Sequence, residues 1–472
     1  MVASECEPFA KTGGLADVVD ALSRALGTLG HEVDVYLPRY RGVDPPGSAQ
    51  GLPLVVPTGT GEVAVTLLTS QAAGYRLRLV DHPPSFDRSD FYVADGTDYP
   101  DNGARFALLG RAAIETMRAE RRPVEILHGH DWEAAPALLL LRHRYSADQI
   151  VGGIATVLTC HNLAYHGWVP RNQVAGQLDL PPEVGKQEGV DLLREGILAA
   201  DIVNTVSPTF ARESLTPEFG AGVYDVLRSL GDRYLGIING VDTELWNPAT
   251  DSALPARYSA VDMYGKRRCR SALCAELGID PGGPLLGMVG RLDPQKGFDL
   301  LAAAAPSLLD AGARICVLGT GDHRLIGRLS ELASDRPTQL AVLDRFDRDL
   351  ARRIYAGADI FLMPSRFEPC GQGQMIALRY GTIPVVRETG GLADTIFDAD
   401  EDPEAGNGFS FGPADPDALA DACRRAMSAR ADSDRWRGLQ RRAMAADHSW
   451  RGPAREYASA YRRAIDLARA VT

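Results

Sequence analysis

Short apolar, β-branched runs alternate with helical stretches along this chain, and they do so in two separate blocks. In the first block EVDVYLP (32–38), VEILHGH (124–130) and ATVLTCH (155–161) read as strands. In the second, LLGMVGR (285–291), RICVLGT (314–320), DIFLMPS (359–365) and IPVVRE (383–388) read the same way. Amphipathic helices fit between them, as in ADVVDALSRALGTLG (16–30) and DLLAAAAPSLLDAG (299–312). Such alternation predicts an α/β chain of parallel sheets with helices on both faces. The junction between the blocks is INGVDTELWNPATDSALPARYS (238–259), rich in Gly, Asn, Asp and Pro and without a clear period. PPGSAQGLP (45–53) and DEDPEAGNG (400–408) read as loops. In such sheets ligands bind beyond the carboxyl ends of the strands. With two domains of this kind the site is expected in the cleft between them.

Composition narrows the function classes. The 472 residues suit two or three domains. A net charge of -12 argues against nucleic acid or an anionic membrane as the main partner. No apolar run reaches the roughly 18 residues of a membrane span, and the opening MVASECEPFAKTGG does not read as a signal peptide. Seven cysteines, an odd number with no CxxC pair, indicate neither a zinc site nor a disulfide framework. The reducing cytoplasm is the expected compartment.

The polar residues with chemical potential cluster at strand ends. KTGGLADVV (11–19) carries Lys11 beside Gly13 and Gly14, glycines that let the backbone approach an anion at a helix start; a plain tight turn is the alternative. HGHDWEAAP (128–136) and TCHNLAYHGW (159–168) place His130, Asp131, His161, Asn162, Tyr165 and His166 at the ends of two strands, which favours a polar pocket over simple capping. GRLDPQKGFDLL (290–301) brings Arg291 and Lys296 to a helix start, where a fork of donors and a point charge suit a diphosphate; a solvated basic loop is the alternative. In PSRFEPCGQGQMIALRYG (364–381), Glu368 precedes Gly371 and Gly373. That combination suits sugar hydroxyls and phosphate, or a plain helix cap. ETGGLADT (388–395) echoes the glycine-rich turn at 12–17. DAD (398–400) is the weak candidate for a metal-bound nucleotide.

These stretches together resemble the bacterial glycogen synthase and plant starch synthase family. ASECEPFAKTGGLADVV, HDW, HNLAYHG, INGVDTELWNPATD, GRLDPQKGFDLL, AGADIFLMPSRFEPCG, TGGLADT and the closing SWRGPAREYASAYRRA carry the resemblance, which runs nearly end to end. It implies a GT-B fold, with two Rossmann-like domains facing a central cleft. The expected divisions are 1–245 on the acceptor side, 246–448 for the nucleotide-sugar donor, and a helix at 449–472 crossing back to the first domain. It further implies a retaining transfer from a nucleotide diphosphate sugar to a glucan or small saccharide, with no cofactor and no essential metal. Carried over by position, Lys11 and the amides of Gly13 and Gly14 line the donor phosphate. His161 touches the sugar and the developing charge, and Arg291 and Lys296 neutralise the departing diphosphate. Glu368 orients the donor sugar, with Cys370, Gly371, Gln372 and Gly373 forming its turn. Phe346 is the base platform beside Arg345, and Asp131, Asn162 and Tyr165 lie toward the acceptor.

Three departures from the family pattern stand out. Gly373 replaces a Thr whose hydroxyl faces phosphate in the family. GKQEGVDLLREGI (185–197) lacks an aromatic pair and carries Arg194-Glu195 in place of Lys-Ala. Arg345-Phe346 replaces Gly-Tyr, and a guanidinium there is able to read guanine O6 and N7. The residues that usually precede VASE in the family are absent, so a short first strand is expected. The departures raise an alternative, a specialised enzyme joining a nucleotide-activated sugar or cyclitol to an amino sugar, as in acarbose-type biosynthesis. A non-catalytic relative would be expected to lose Arg291, Lys296, Glu368 and His161, and all four are present.

Overall fold

The computed structural model describes residues 1–471. The chain divides into two compact units, one formed by Met1–Gly240 with the segment from Trp450 onward, the other by Val241–Ser449.

The first unit opens on Val2, which bridges in parallel to Tyr36 on one side and Gly129 on the other. The chain then enters α1 (Gly14–Thr28), where Val18, Val19, Leu22 and Leu26 bury one face at helical spacing. Next come β1 (Asp34–Pro38), β2 (Gln50–Thr58), β3 (Gly61–Ala72) and β4 (Tyr75–Asp81), then α2 (Asn102–Glu120), β5 (Ile126–His130), α3 (Asp131–His143), β6 (Ala155–Cys160), α4 (Leu192–Ala199), β7 (Ile202–Thr205) and β8 (Tyr234–Gly236). β8-β7-β6-β5 are parallel neighbours; β1 pairs in parallel with β4, which continues antiparallel into β3 and β2. Val2 therefore joins the two four-stranded halves, and the strand order reverses about it. The segments that follow Val2, β5 and β6 emerge at this reversal, where α/β sheets place their ligands.

One expectation fails here. Residues 45–53 read as a loop from their Gly and Pro content, yet Gln50–Pro53 begin β2, paired with Thr66–Thr69 of β3. β2 is the outer strand of its half and is largely exposed, so Pro53 and Pro57 cost no interior ladder.

The second unit holds six parallel strands in the order β11-β10-β9-β12-β13-β14: β9 (Leu285–Val289), β10 (Arg314–Gly319), β11 (Leu340–Asp344), β12 (Ile360–Met363), β13 (Ile383–Arg387) and β14 (Phe409–Phe411). α5 (Tyr264–Leu277) precedes them. α6 (Phe298–Asp310), α7 (Arg348–Gly357), α8 (Gly373–Arg379) and α9 (Gly390–Thr395) follow β9, β11, β12 and β13. The order reverses between β9 and β12, so the loops leaving those two strands are neighbours. Each unit has its own apolar core.

The last helix, α10 (Arg451–Val471), belongs to the first unit. Ala454, Tyr457, Ala460 and Ala464 lie on one helical face and pack on Val18 and Leu22 of α1 and on Ala155, Val157 and Ile202. Three of those four are alanines, which lets the helix lie close to the sheet.

Candidate active site

In the second unit the reversal between β9 and β12 gathers three glycine-rich turns. After β9, Asp293 accepts from the Lys296 amide at 2.9 Å and closes a short turn. Gly297 follows at φ +76, where a Cβ would lie 2.1 Å from the Pro364 carbonyl oxygen of the neighbouring loop. Glycine is thus required where the two loops cross. Arg366 ties them further, through its amide to the Gln295 carbonyl (2.8 Å) and its guanidinium to Asp299 (2.8 Å). This crossing carries Lys296 Nζ to 2.6 Å from Glu368 Oε2, which also accepts from Ser365 Oγ at 3.0 Å. Glu368 is 5% exposed. A buried carboxylate is tolerable only when paired and hydrogen-bonded in this way. Arg291 stands at the same mouth, more exposed, with Nε on Asp293 and Nη2 donating to Gln295 Oε1 at 3.2 Å.

The turn after Glu368 is built by backbone geometry. Gly371 has φ +72, and its Cβ position is 2.6 Å from Gln374 Oε1. The fully buried Gln374 donates from Nε2 to the carbonyls of Cys370 and Gly371 and to Thr395 Oγ1, each at 3.1 Å. Cys370 is buried, and Gln372 and Gly373 open α8. A Cβ on Gly373 would lie 3.1 Å from Phe361, 3.2 Å from Met363 Sδ and 3.3 Å from the Tyr355 hydroxyl. Glycine in place of the family's Thr is thus matched to the packing beneath the turn. The third turn docks through the Gly391 amide on the Glu368 carbonyl at 3.1 Å.

Arg345 and Phe346 are not part of this cluster. They follow β11, two strands from β9 in the sheet. Phe346 is 83% exposed, and Arg345 turns Nε to Asp347 Oδ2 at 3.2 Å, on the residue that caps α7. The DAD segment is engaged structurally. Asp398 accepts from the Ser410 amide (2.7 Å) and Arg425 (3.0 Å), and Asp400 pairs with Arg425 and Arg435.

In the first unit the segments after β5 and β6 are locked together. Asp131 takes a left-handed backbone (φ +56) at the start of α3, and its Oδ1 accepts from the amides of His161 (2.6 Å) and Asn162 (3.3 Å). Burial pushes the Asp131 carboxyl well above the usual carboxylate range. His161 Nε2 lies 3.0 Å from His130 Nδ1, and the His130 ring lies tilted against His128, centroids 4.2 Å apart; His128 reaches the Tyr461 hydroxyl of α10 at 2.8 Å. Desolvation brings His161 down to about 3, which keeps the imidazole neutral at pH 7. Tyr165 is exposed, and so is Trp168. His166 pins the loop between Asp191 (2.6 Å) and the Ala221 carbonyl (2.9 Å). Arg194, one of the departures, makes a two-point pair with Asp225 at 2.8 and 2.6 Å.

The loop Lys11–Gly14 is exposed along its length. Lys11 Nζ pairs with Asp17 at 2.5 Å and lies 3.4 Å from Glu7. The Gly13 amide, expected from the sequence to face a phosphate, instead donates inward to Glu5 Oε2 at 3.1 Å. A buried carboxylate there outcompetes any outward orientation of that N–H. The reading from sequence missed Glu5, Gln374 and Ser365, whereas His130 stands in the polar cluster it anticipated. The one available signal was an acidic residue, Glu5, within an apolar strand end directly before a glycine-rich loop.

Among the described residues no group of three His, Cys, Asp or Glu has a metal-holding arrangement, and no helix is long and apolar enough to cross a membrane. All seven cysteines are buried thiols.

Comparison with known proteins places this geometry. The starch synthase catalytic domain family matches residues 1–229, and the glycosyl transferases group 1 family matches residues 283–429. The glycogen synthase of Syntrophotalea carbinolica is 42% identical over 99% of both chains, and that of Anaeromyxobacter dehalogenans is 45% identical over 98% of both. Among solved structures, the catalytic domain of starch synthase IV from Arabidopsis thaliana, bound to ADP and acarbose, matches with a TM-score of 0.89 and 32% identity over 98% of each chain. None of these supports the specialised small-molecule alternative raised by the three departures. With end-to-end identity of this order, a shared fold of the GT-B class, and cationic and carboxylate side chains brought together at a strand-order reversal, the chain belongs to the glycogen synthase and starch synthase family of glycosyltransferases.

Proposed function

We propose that the protein transfers a glucosyl unit from ADP-glucose to the end of an α-1,4-glucan, with retention at the anomeric carbon and without an essential metal ion. The observation that carries this reading is the Lys296–Glu368 pair, 2.6 Å apart, at the crossing of two loops that also bears Arg291. As the bond to the diphosphate breaks, negative charge builds on the leaving group, and fixed cations lower the barrier most when they need not reorganise. An ammonium has three donors. Lys296 can therefore hold Glu368 with one N–H and meet phosphate with the others, so the carboxylate sets the position of the cation. Glu368 orients the donor sugar. His161, neutral at working pH, offers the sugar a hydrogen-bonding partner without competing for its charge. Arg291 and Lys296 take the place that a metal ion fills in other transferases. Adenine as the base is supported by the related starch synthase IV domain, which is bound to ADP, and by the turn of Arg345 back to Asp347.

The test is sugar incorporation into glycogen from ADP-, UDP-, GDP- and dTDP-glucose, with and without excess EDTA. ADP-glucose should elongate glycogen, and EDTA should leave that rate unchanged. Elongation from GDP-glucose alone would replace the donor in this reading. Loss of activity in EDTA with recovery on Mg²⁺ would overturn the metal-free chemistry.

A further inference from the structure

We propose that Glu5 is a positioning residue that holds the 11–14 loop in the shape the donor phosphate meets, an inference resting on the family resemblance, which implies that Lys11 and this loop line the donor phosphate. Glu5 is 3% exposed, whereas Lys11, Thr12, Gly13 and Gly14 are all exposed. Its carboxylate gathers the inner side of the loop. Oε2 accepts the amides of Thr12 (2.6 Å) and Gly13 (3.1 Å), and Oε1 accepts the hydroxyls of Thr12 (2.5 Å) and Tyr92 (2.6 Å). On the outer side the Cβ positions of both Gly13 and Gly14 meet nothing within 4 Å. The loop is therefore tied down from within and open without, which leaves an incoming anion room to approach at both glycines.

Burying a carboxylate beside two others is costly. Glu5 contributes to pushing up the carboxyls of both Asp131 and Glu133 after their own burial. An apolar side chain at position 5 would fill the space at lower cost. What it would not do is direct two successive amides inward. Gly13 lacks a side chain to restrict it, so without that tether the loop would sample many shapes and part of the binding energy would go into ordering it.

The experiment is steady-state kinetics on the full chain with Glu5→Ala, Glu5→Gln, Thr12→Val and Lys11→Ala, varying ADP-glucose and glycogen separately. Glu5→Ala should lower kcat/KM for the donor by roughly 10- to 100-fold, the range for lost hydrogen bonds to a charged group. The glycogen KM should stay as it was. Glu5→Gln should recover most of the loss, because its carbonyl can take the two amides while its NH2 faces the two hydroxyls. Thr12→Val, which removes one of the four hydrogen bonds to Glu5 at an otherwise exposed residue, should show a smaller loss on the donor side alone, so the inference stays testable if Glu5→Ala does not fold. A loss of donor kcat/KM in Lys11→Ala that is shared neither by Thr12→Val nor by a folded Glu5→Ala, both within twofold of wild type, would overturn the role of Glu5. If Lys11→Ala also leaves donor kinetics untouched, the loop does not meet the donor, and the reading beneath this inference falls with it.

Discussion

Lys296 and Arg291 carry the same formal charge but are held differently, and their substitutions should separate. Lys296 Nζ is paired with a carboxylate that is 7% exposed at its side chain, so removing it strips Glu368 of its cation and leaves the Ser365 hydroxyl donating to Oε2. The Arg291 guanidinium is 58% exposed and rests on Asp293 and Gln295. Either alanine substitution should lower kcat at saturating donor by about 10²–10³, the loss on removing one stabilising donor in other enzymes. Lys296→Ala should also lower the thermal midpoint, whereas Arg291→Ala should leave it within a degree or so. Turnover near wild type in either variant would remove that residue from the phosphate site. These two and Glu368 were legible in the sequence because charged residues directly after apolar strands have few structural reasons to be there. Glu5 and Gln374 were not, because each acts on backbone groups that become its neighbours only on folding.

The turn from Glu368 into α8 depends on one backbone angle. Gly371 at φ +72 occupies a region that costs a residue with a side chain about 1–2 kcal/mol. Its added Cβ would also press on Gln374, which is wholly buried and holds the turn from inside. Gly371→Ala should therefore lower unfolding free energy by at least about 1–2 kcal/mol in denaturant titration and reduce activity. Gln372→Ala, at a partly exposed position whose side chain makes no cap bond, should be close to neutral for stability. Equal stability of the two variants would show that the turn tolerates a left-handed side chain. Element identity was readable from apolar runs: the seven segments quoted as strands all contain strands, each shorter than quoted. The N-terminal hairpin was not, since Gln50–Thr58 pairs with Gly61–Ala72 through a register that Pro and Gly content disguises.

At the scale of the molecule, a buried lysine gives the second unit a pH signature. Lys266 of α5 is 6% exposed, and its Nζ donates to the Ala356 carbonyl (3.0 Å) and Thr382 Oγ1 (2.6 Å). Burial brings the ammonium down to about 7. The unfolded chain holds that proton up to about 10.4. Between these values the unfolded state binds more protons than the folded one, so stability rises with pH across the window. The contribution is fully present above the unfolded value and is lost as pH falls through about 7. Denaturant midpoints measured from pH 7 to pH 10 should climb for the wild type and flatten in Lys266→Met. Parallel slopes in the two proteins would place the titration elsewhere.

The alternation of strands and helices, the two blocks and the family were determined by sequence alone, because apolar periodicity and residue type survive without coordinates. So were the candidate cations and the carboxylate at strand ends. Only the tertiary structure decided which way each polar group turns. The Gly13 amide faces Glu5, Arg345 returns to Asp347, Arg194 pairs with Asp225, and Asp131 spends one oxygen on the His161 amide. Arg345 finds its partner two positions along the chain, but for the pairs about thirty positions apart the physical reason is shared. A hydrogen bond is short-ranged and directional, so its partner is chosen by what the sheet order brings within about 3 Å, and partners separated by up to 31 positions in these pairs leave no mark on local sequence.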